Sequence, residues 1–402
     1  MSQAIPQRVE ELTPGWLTEA LHGVLGGARV GAVDVQMLGE GEGFVGTVAR
    51  LRLDLDRPVP GAPTHVIAKF PTEIASNRAT GELLGAYERE VCFYRELAPR
   101  VSYRTPALYL ALMDDSPASK HGAAVIRFVD GLPRWALGLS MLFFEWVARR
   151  SRRRYLLLIE DLAGAVAGDQ LVGRTPSQCE PILRTIADAQ APHWRSEALR
   201  RHHWVSQLDL GLRIAHAMFL RSRATFEERF SATLSGDDRG VLDWLSERAP
   251  ALQTVLHAQA PPTLVHGDFR LDNLLFDDQP SPRVVDWQGV GRGPAPYDVA
   301  YFLSGALSPR VSVEEEVALV VGYHDALLAA GVAGYSREEC LRDYRRSMLA
   351  VLHRMVTIDR VDLGTGRGIE LFDRWVERIF ARIAHIDRDA LIPHRLPARA
   401  GA

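Results

Sequence analysis

The sequence predicts an α+β molecule in two parts, a strand-rich first part joined to a larger helix-rich second part. Three observations carry that expectation. From Val45 to Leu55 the odd positions Val45, Thr47, Ala49, Leu51, Leu53 and Leu55 form one face and most even positions are polar, the period-2 signature of a half-buried strand. Past residue 164, amphipathic stretches at 177–200, 207–233, 239–257, 312–330, 337–358 and 369–387 have helical spacing. Among them stands one compact β segment, 262–287.

In chain order, residues 8–24 carry Val9, Leu12, Leu17, Leu21 and Val24 at helical spacing and stop at Gly26-Gly27, so a helix precedes the first sheet. A second strand follows at Thr64–Phe70. Residues 81–97 switch to helical period, with Leu83, Leu84, Tyr87, Val91, Tyr94 and Leu97 on one face. Ala107–Met113 and Tyr155–Ile159 read as strands. The second is continuously apolar, as a central strand should be, and runs into Glu160-Asp161-Leu162-Ala163-Gly164, a candidate hinge. The expected division is 1–162 and 163–402, with an insert near 116–150.

The 402 residues are 47% hydrophobic and 24% charged with a net charge of -3, which implies no broad attraction to nucleic acid. Cys92, Cys179 and Cys340 lie far apart without zinc-ligand spacing, and a reducing cytoplasm is expected. The N-terminus does not read as an export signal. The most apolar stretch, Trp135–Phe144, is about half the ~20 residues that cross a bilayer, so no transmembrane segment is expected.

The sharpest signal is PTLVHGDFRLDNLLFDDQPSPRVVDWQGV, residues 262–290. It reads as a strand, a polar loop and a hairpin with arms Leu274–Phe276 and Val284–Val285. Asp268 and Asn273 bracket the loop and Asp286 ends the returning arm, so their oxygens converge at one rim. Phosphoryl transfer asks for such a set: a carboxylate to orient the attacking hydroxyl, and hard oxygen ligands for a magnesium ion on nucleotide phosphates. Asp268 takes the first role, accepting the proton late, and Asn273 and Asp286 the second.

Three upstream features should accompany that chemistry. In His65-Val66-Ile67-Ala68-Lys69-Phe70, Lys69 leaves the sheet face that Ile67 occupies. Glu90 falls on the apolar stripe of the next helix, where Glu88 and Glu96 fit less well, and an acid there is costly unless paired; a Lys69-Glu90 pair aimed at phosphates accounts for both. Gly39-Glu40-Gly41-Glu42-Gly43-Phe44-Val45-Gly46-Thr47 is followed by a long strand rather than a helix, the arrangement of a flap over phosphates, with Gly41 and Gly43 at its centre.

The pieces GEGFVGTVARLRL, VIAKF, YEREVCFYREL, YLLLIEDL, LVHGDFRLDNLLF, VVDWQGVGRGPAPYDVAYFL and CLRDYRRSMLAVL resemble, in order and over most of the chain, the aminoglycoside phosphotransferase and choline kinase-like superfamily, closest to its ecdysteroid kinase-like branch. The resemblance implies a protein-kinase-like two-lobed fold: a small lobe with a five-stranded sheet and one helix, a hinge, and a large helical lobe that accepts substrate. It implies ATP and Mg2+, with Asp268 as catalytic residue, Asn273 and Asp286 as metal ligands, Lys69 and Glu90 as the phosphate-orienting pair, and main-chain groups from Glu160 to Leu162 holding adenine. His266 and Asp298 match residues that brace the catalytic loop.

Two segments depart from the family pattern. RWALGLSMLFFEW with the following arginine run, 135–154, reads as an added helix with a solvated basic end, or as a peripheral contact with an anionic membrane. Ala189-Gln190-Ala191-Pro192-His193 stands where relatives look more like Leu-His-Ala, and His193 is a candidate replacement. Arg270 could stabilise the transferring phosphoryl group or form a surface salt bridge. Trp194, Trp204, His216, His353 and Asp359 are candidates to line the acceptor site. The acceptor expected is a small-molecule hydroxyl (aminoglycoside, sterol, amino alcohol or similar), since little chain lies between Asp286 and Asp298 to dock a peptide. The alternatives are a protein kinase-like enzyme and an inactive nucleotide-binding scaffold.

Overall fold

The computed structural model describes residues 5–38, 46–115, 117–151, 153–358 and 366–393. Helix α1 (Pro14–Ala20) begins at Thr13, whose side chain accepts from the Trp16 N-H, with Pro14 in the first turn. It is shorter than the 8–24 stretch, because turns replace it from Leu21 to Gly27. Leu17, Leu21 and Leu25 are fully buried against one face of a five-stranded antiparallel sheet.

That sheet has strands β1 (Val30–Leu38), β2 (Gly46–Leu55), β3 (His65–Pro71), β4 (Leu108–Met113) and β5 (Tyr155–Glu160), in the order β1-β2-β3-β5-β4. β1 has no counterpart in the sequence reading. It is an edge strand that leaves Val35 and most of its neighbours exposed, so no clean alternation marks it. In β2 the expected odd positions Ala49, Leu51 and Leu53 are buried with Val66, Ala68 and Phe70 of β3 and the leucines of α1. Ile67 and Lys69 therefore take the opposite face, where Ile67 packs on the main core.

The 81–97 stretch is two helices. Gly85 adopts φ +65 between α2 (Ala75–Leu84) and α3 (Ala86–Cys92), and α3 runs into a π turn over Phe93–Leu97. Leu83 and Leu84 end the first helix and are 43% and 59% exposed, so the buried stripe starts at Tyr87 and not at Leu83.

The insert is a helical hairpin, α4 (Pro117–Asp130) and α5 (Arg134–Ala148). Its apolar surface stays largely uncovered, with Phe128 71% and Trp135 74% exposed and Leu139, Leu142, Phe143 and Trp146 also open. The basic end is only partly solvated: Arg153 pairs with Glu88 at 3.1 Å, Arg154 with Asp114 at 2.8 Å, and Arg150 covers the Trp146 ring. Among the described residues, no helix is long and apolar enough to cross a membrane.

The second part is helical, with α6 (Pro176–Gln190), α7 (Leu212–Arg229), α8 (Gly236–Gln259), α9 (Tyr297–Ala306), α10 (Val313–Ala329), α11 (Arg337–Ile358) and α12 (Gly366–Ile383). The expected 177–200 helix stops at Gln190, where a short 3-10 turn, Ala191–His193, follows. Every residue of α9 is buried, which puts it at the centre of the lobe. Between the helices lie two small sheets, one of β6 (Val166–Ala167), β9 (Leu274–Phe276) and β10 (Arg283–Val284), the other of β7 (Ser206–Gln207), β8 (Pro262–Val265) and β11 (Gly291–Pro294). The molecule is thus α+β and two-lobed, as the sequence predicts.

The hairpin spans from one lobe to the other. Asp130 Oδ1 accepts from the N-H groups of Arg213 (2.8 Å) and Ile214 (3.0 Å) at the start of α7, and Arg213 donates back to the carbonyl oxygens of Asp130 (2.6 Å) and Leu132 (2.9 Å). The carboxylate acts as a helix cap supplied from the other lobe. Asp130→Ala is expected to lower unfolding stability by about 1 kcal/mol, read from urea unfolding, because that end of α7 loses its acceptor.

Candidate active site

The polar loop after β8 is held from behind by α9. Asp298, fully buried in the first turn of α9, accepts from the N-H groups of His266 (2.7 Å) and Gly267 (2.9 Å). Gly267 turns the chain at φ +78, and a Cβ there would lie 2.3 Å from the Gly289 carbonyl oxygen, so only glycine fits. His266 Nδ1 accepts from the Asp268 N-H at 3.2 Å, which assigns the proton to Nε2 and makes it the donor to the Val285 carbonyl at 3.0 Å. Burial lowers the His266 pKa and keeps the ring neutral, as that tautomer requires. His266 and Asp298 are therefore bonded to the loop, where the sequence reading put them.

Both oxygens of Asp268 are oriented. Oδ1 accepts from the Tyr301 hydroxyl at 2.6 Å and Oδ2 from the Asn273 amide nitrogen at 3.0 Å. Tyr301 projects from α9, and burial raises its pKa well above the ordinary value, so it remains a donor. Arg270 Nε lies 3.5 Å from Asp268 Oδ2, and Nη1 is 3.1 Å from Asp272; burial works against its charge, and the two carboxylates more than offset this. The Asn273 amide nitrogen also donates to the Asp268 carbonyl at 2.9 Å, which leaves Oδ1 of Asn273 as the atom available to a ligand.

Opposite stands the lysine. Lys69 Nζ is 2.5 Å from Glu90 Oε1 and 3.7 Å from Asp286 Oδ1, and Gln288 Nε2 donates to Glu90 Oε2 at 3.4 Å. Burial opposes the Lys69 charge, but the two carboxylates outweigh it and raise its pKa. For Glu90, burial pushes upward and Lys69 pulls back, so each ionises because the other does. The structure thus joins Asp268 with Asn273 and Lys69 with Glu90 and Asp286, and the Val285 N-H ties the two groups by bonding the Asn273 carbonyl at 3.0 Å.

Asp286 departs from ordinary backbone, with φ 65 and ψ 64 for a non-glycine residue. Its Oδ1 is buried and makes no hydrogen bond among the described residues. A carboxylate oxygen whose one ion-pair partner among the described residues is Lys69 at 3.7 Å, on the strand arm that Val285 ties to Asn273, keeps capacity for a divalent cation that completes its shell with ligand oxygens. Among the described residues no three His, Cys, Asp or Glu side chains cluster as a metal site, so protein groups alone do not cage an ion here.

Other expectations fare differently. The Glu160 N-H donates to the Ala107 carbonyl at 2.8 Å and its carboxylate accepts from Ala107 N-H and from Arg283, each at 3.0 Å, while the Leu162 carbonyl accepts from Ala165. Gly41 and Gly43 lie outside the described residues; Gly46, the first residue of β2, sits beside Gln288, which bonds Glu90. His193 stands near the start of β8, the end far from Asp268, where its neighbour Arg195 bonds Pro262, and its burial lowers its pKa. Gln190, not His193, is the buried brace there, bonding Tyr323 and the Ala295 carbonyl.

The proposed acceptor lining is largely core. His216 and His353 stack on each other and on Phe219, Trp194 packs on Tyr335, and Trp204 donates to Glu96, while Asp359 lies outside the described residues. Sequence reasoning also underrated Glu88, buried and paired with Arg153, and passed over Tyr301, which bonds Asp268. Tyr301 had one available signal, its position a turn beyond Asp298 on the same helix.

The fold and this cluster define a kinase-like phosphotransferase architecture. The model of the phosphotransferase enzyme family matches residues 74–346, and the chain belongs to that family, within the superfamily its motifs resemble. It is similar in fold to the choline kinase of Cryptosporidium parvum Iowa II, with 11% identity over 95% of each chain and a TM-score of 0.51. A macrolide 2'-phosphotransferase from Brachybacterium faecium matches with 14% identity over 92% of this chain and 100% of that one, at a TM-score of 0.45. No curated protein matches the sequence.

Two outcomes follow from the loop's bracing. Gly267→Ala should destabilise the chain by at least about 1–3 kcal/mol in denaturant unfolding, since it adds a clash and a strained φ. Burial raises the Asp298 pKa to about 7, above the unfolded value of about 3.9, so its contribution is fully present below that lower value and fades as pH rises through about 7. Asp298→Asn should flatten that part of the stability-pH curve and cost about 1–3 kcal/mol at pH 6, because an amide cannot accept both N-H groups through its two ends.

Proposed function

We propose that the chain transfers the γ-phosphoryl group of ATP to a hydroxyl of a small molecule, releasing ADP and a phosphate ester. The observation that carries this reading is the pairing of an oriented carboxylate, Asp268, with a second one, Asp286, whose Oδ1 makes no hydrogen bond among the described residues and lies 3.7 Å from a lysine held by Glu90. Asp268, held by Tyr301 and Asn273, would orient the acceptor hydroxyl and take its proton late in the reaction. Lys69 would hold phosphate oxygens, its direction set by Glu90. Asn273 and Asp286 would hold Mg2+, which supplies charge neutralisation on the phosphates when bound.

The hinge at Glu160–Leu162 would hold adenine and divide the lobes at 162/163; since the Glu160 N-H is bonded to Ala107 and the Leu162 carbonyl to Ala165, the Leu162 N-H is the group left for that role. Gly41 and Gly43 would cover the phosphates. Membership of the ecdysteroid kinase-like branch and a cytoplasmic location complete the proposal. The stretch between Asp286 and Tyr297 favours a small acceptor over a peptide: it is a 3-10 turn (Trp287–Gly289) and then β11, with nearly every residue buried, so it offers no docking segment. A further part of the proposal, peripheral contact with an anionic membrane through 135–154, is supported by the uncovered aromatic face of α5 and tested by sedimenting the intact chain with anionic vesicles.

Asp268→Asn is expected to lower turnover by about 10²–10⁴-fold in a coupled ADP-release assay while ATP and Mg2+ still bind by calorimetry. Turnover at the wild-type rate would remove Asp268 from the chemistry. Lys69→Ala should weaken nucleotide affinity at least about tenfold, and an unchanged dissociation constant would dismiss the phosphate-holding role.

A further inference from the structure

Resting on the phosphotransferase reading, we propose that Tyr301 is a positioning residue for the transfer: its hydroxyl fixes the rotation of the Asp268 carboxylate and turns the open side of Oδ1 to the acceptor hydroxyl.

A carboxylate on a short side chain can rotate about its last bond, and it activates an acceptor hydroxyl only where an oxygen lone pair meets that hydroxyl. In this site the rotation is stopped at both oxygens. Oδ2 accepts from the Asn273 amide nitrogen at 3.0 Å, with Arg270 Nε at 3.5 Å, and Oδ1 accepts from the Tyr301 hydroxyl at 2.6 Å. Asn273 belongs to the same loop as Asp268, so it fixes the carboxylate only relative to that loop. Tyr301 acts from α9, whose Asp298 one turn earlier holds the N-H groups of His266 and Gly267. One face of α9 therefore sets both the backbone that leads into Asp268 and the direction of its side chain. Among the described residues Oδ1 is the less committed oxygen, with Tyr301 on one lone pair and the other open to the acceptor.

The ring of Tyr301 is itself held. Trp375 from α12 packs edge-on with centroids 5.0 Å apart, and its Nε1 donates to Ser304 Oγ at 2.8 Å, which donates in turn to the Tyr301 carbonyl at 2.8 Å. Arg354 from α11 lies 5.8 Å from the ring centroid. Those contacts belong to the ring and the backbone, and a phenylalanine would keep them. What the hydroxyl adds is the bond to Asp268. Burial and, after it, the charge of Asp268 raise the Tyr301 pKa, so the hydroxyl keeps its proton and stays a donor. The Asp268 side chain is 25% exposed, so water can reach Oδ1 once the hydroxyl is removed, and the variant need not unfold.

In the transfer the acceptor O-H bond breaks late and its proton passes to Asp268 Oδ1, while the acceptor oxygen bonds the γ-phosphorus. The bond from that phosphorus to the β-γ bridging oxygen breaks, and its electron pair leaves with ADP. Tyr301 exchanges no atom in this step; it acts through the direction of the carboxylate.

The test reads ADP release by the full chain with ATP and Mg2+, with water alone as acceptor and with glycerol, choline and kanamycin added, and takes the fastest rate that depends on Asp268. Tyr301→Phe should lower kcat at least about tenfold with KM for ATP within about twofold. Asp268→Asn combined with Tyr301→Phe should fall no further than Asp268→Asn alone, because the tyrosine works only through that carboxylate. Tyr344→Phe is the control: it also removes a buried phenol hydroxyl bonded to a carboxylate, Glu316 at 2.7 Å, and should keep kcat within about twofold.

A smaller loss of kcat in Tyr301→Phe overturns the proposal. So does a loss that appears in ATP affinity instead, one that multiplies with Asp268→Asn, or an equal loss in Tyr344→Phe, which marks a general packing defect. Release that ignores Asp268→Asn, or that stays at the blank with every acceptor, rejects the phosphotransferase reading beneath it.

Discussion

The buried charge group of Lys69, Glu90 and Asp286 constrains everything around it. A lysine on the inner face of an antiparallel sheet, with an apolar core on the other side, must find carboxylates or lose its proton, and breaking such a buried pair by removing one member typically costs 3–5 kcal/mol. Glu90 comes from α3 and Asp286 from the hairpin of the second lobe, so one ammonium ties β3, α3 and the end of β10 to a common point. Glu90 sits at 2.5 Å and Asp286 at 3.7 Å. The nearer carboxylate satisfies the lysine, and the farther one is left with capacity for another cation.

The second constraint is rigidity behind Asp268. Asp298 gathers two backbone N-H groups, His266 bridges the loop to Val285, and Gly267 and Gly289 touch backbone to backbone with no room for a side chain. All of it rests on α9, every residue of which is buried. Tyr301 leaves that same helix to grip Asp268, so the carboxylate's direction is set by core packing rather than by a flexible loop. Such preorganisation is what a reaction with little covalent chemistry for the protein to do requires.

Around that centre the chain adds its own features. The α4–α5 hairpin crosses between lobes through the Asp130–Arg213 contacts, and it leaves an aromatic face uncovered. Arg354 donates to the Tyr297 hydroxyl and lies 5.8 Å from the ring of Tyr301, the residue that holds Asp268.

What was legible in the sequence is what local periodicity and short motifs encode. Lys69 and Glu90 could be paired in advance because period 2 in β3 and the stripe from Tyr87 each expose one ionisable residue toward a core, and the 262–290 segment places Asp268, Asn273 and Asp286 on one hairpin. The edge strand β1 escaped because an exposed strand need not alternate, and the break at Gly85 because a glycine after two leucines also reads as helix interior. Glu88 escaped for a different reason: its partner Arg153 lies 65 positions away. By itself, then, the sequence determined the fold class, the hairpin that carries Asn273 and Asp286, and the lysine-glutamate pair, since each is set by neighbours within a few residues. Only the tertiary structure decided that Tyr301 holds Asp268 and that His193 stands apart, because those placements depend on helices whose relative position is fixed by packing of the whole core.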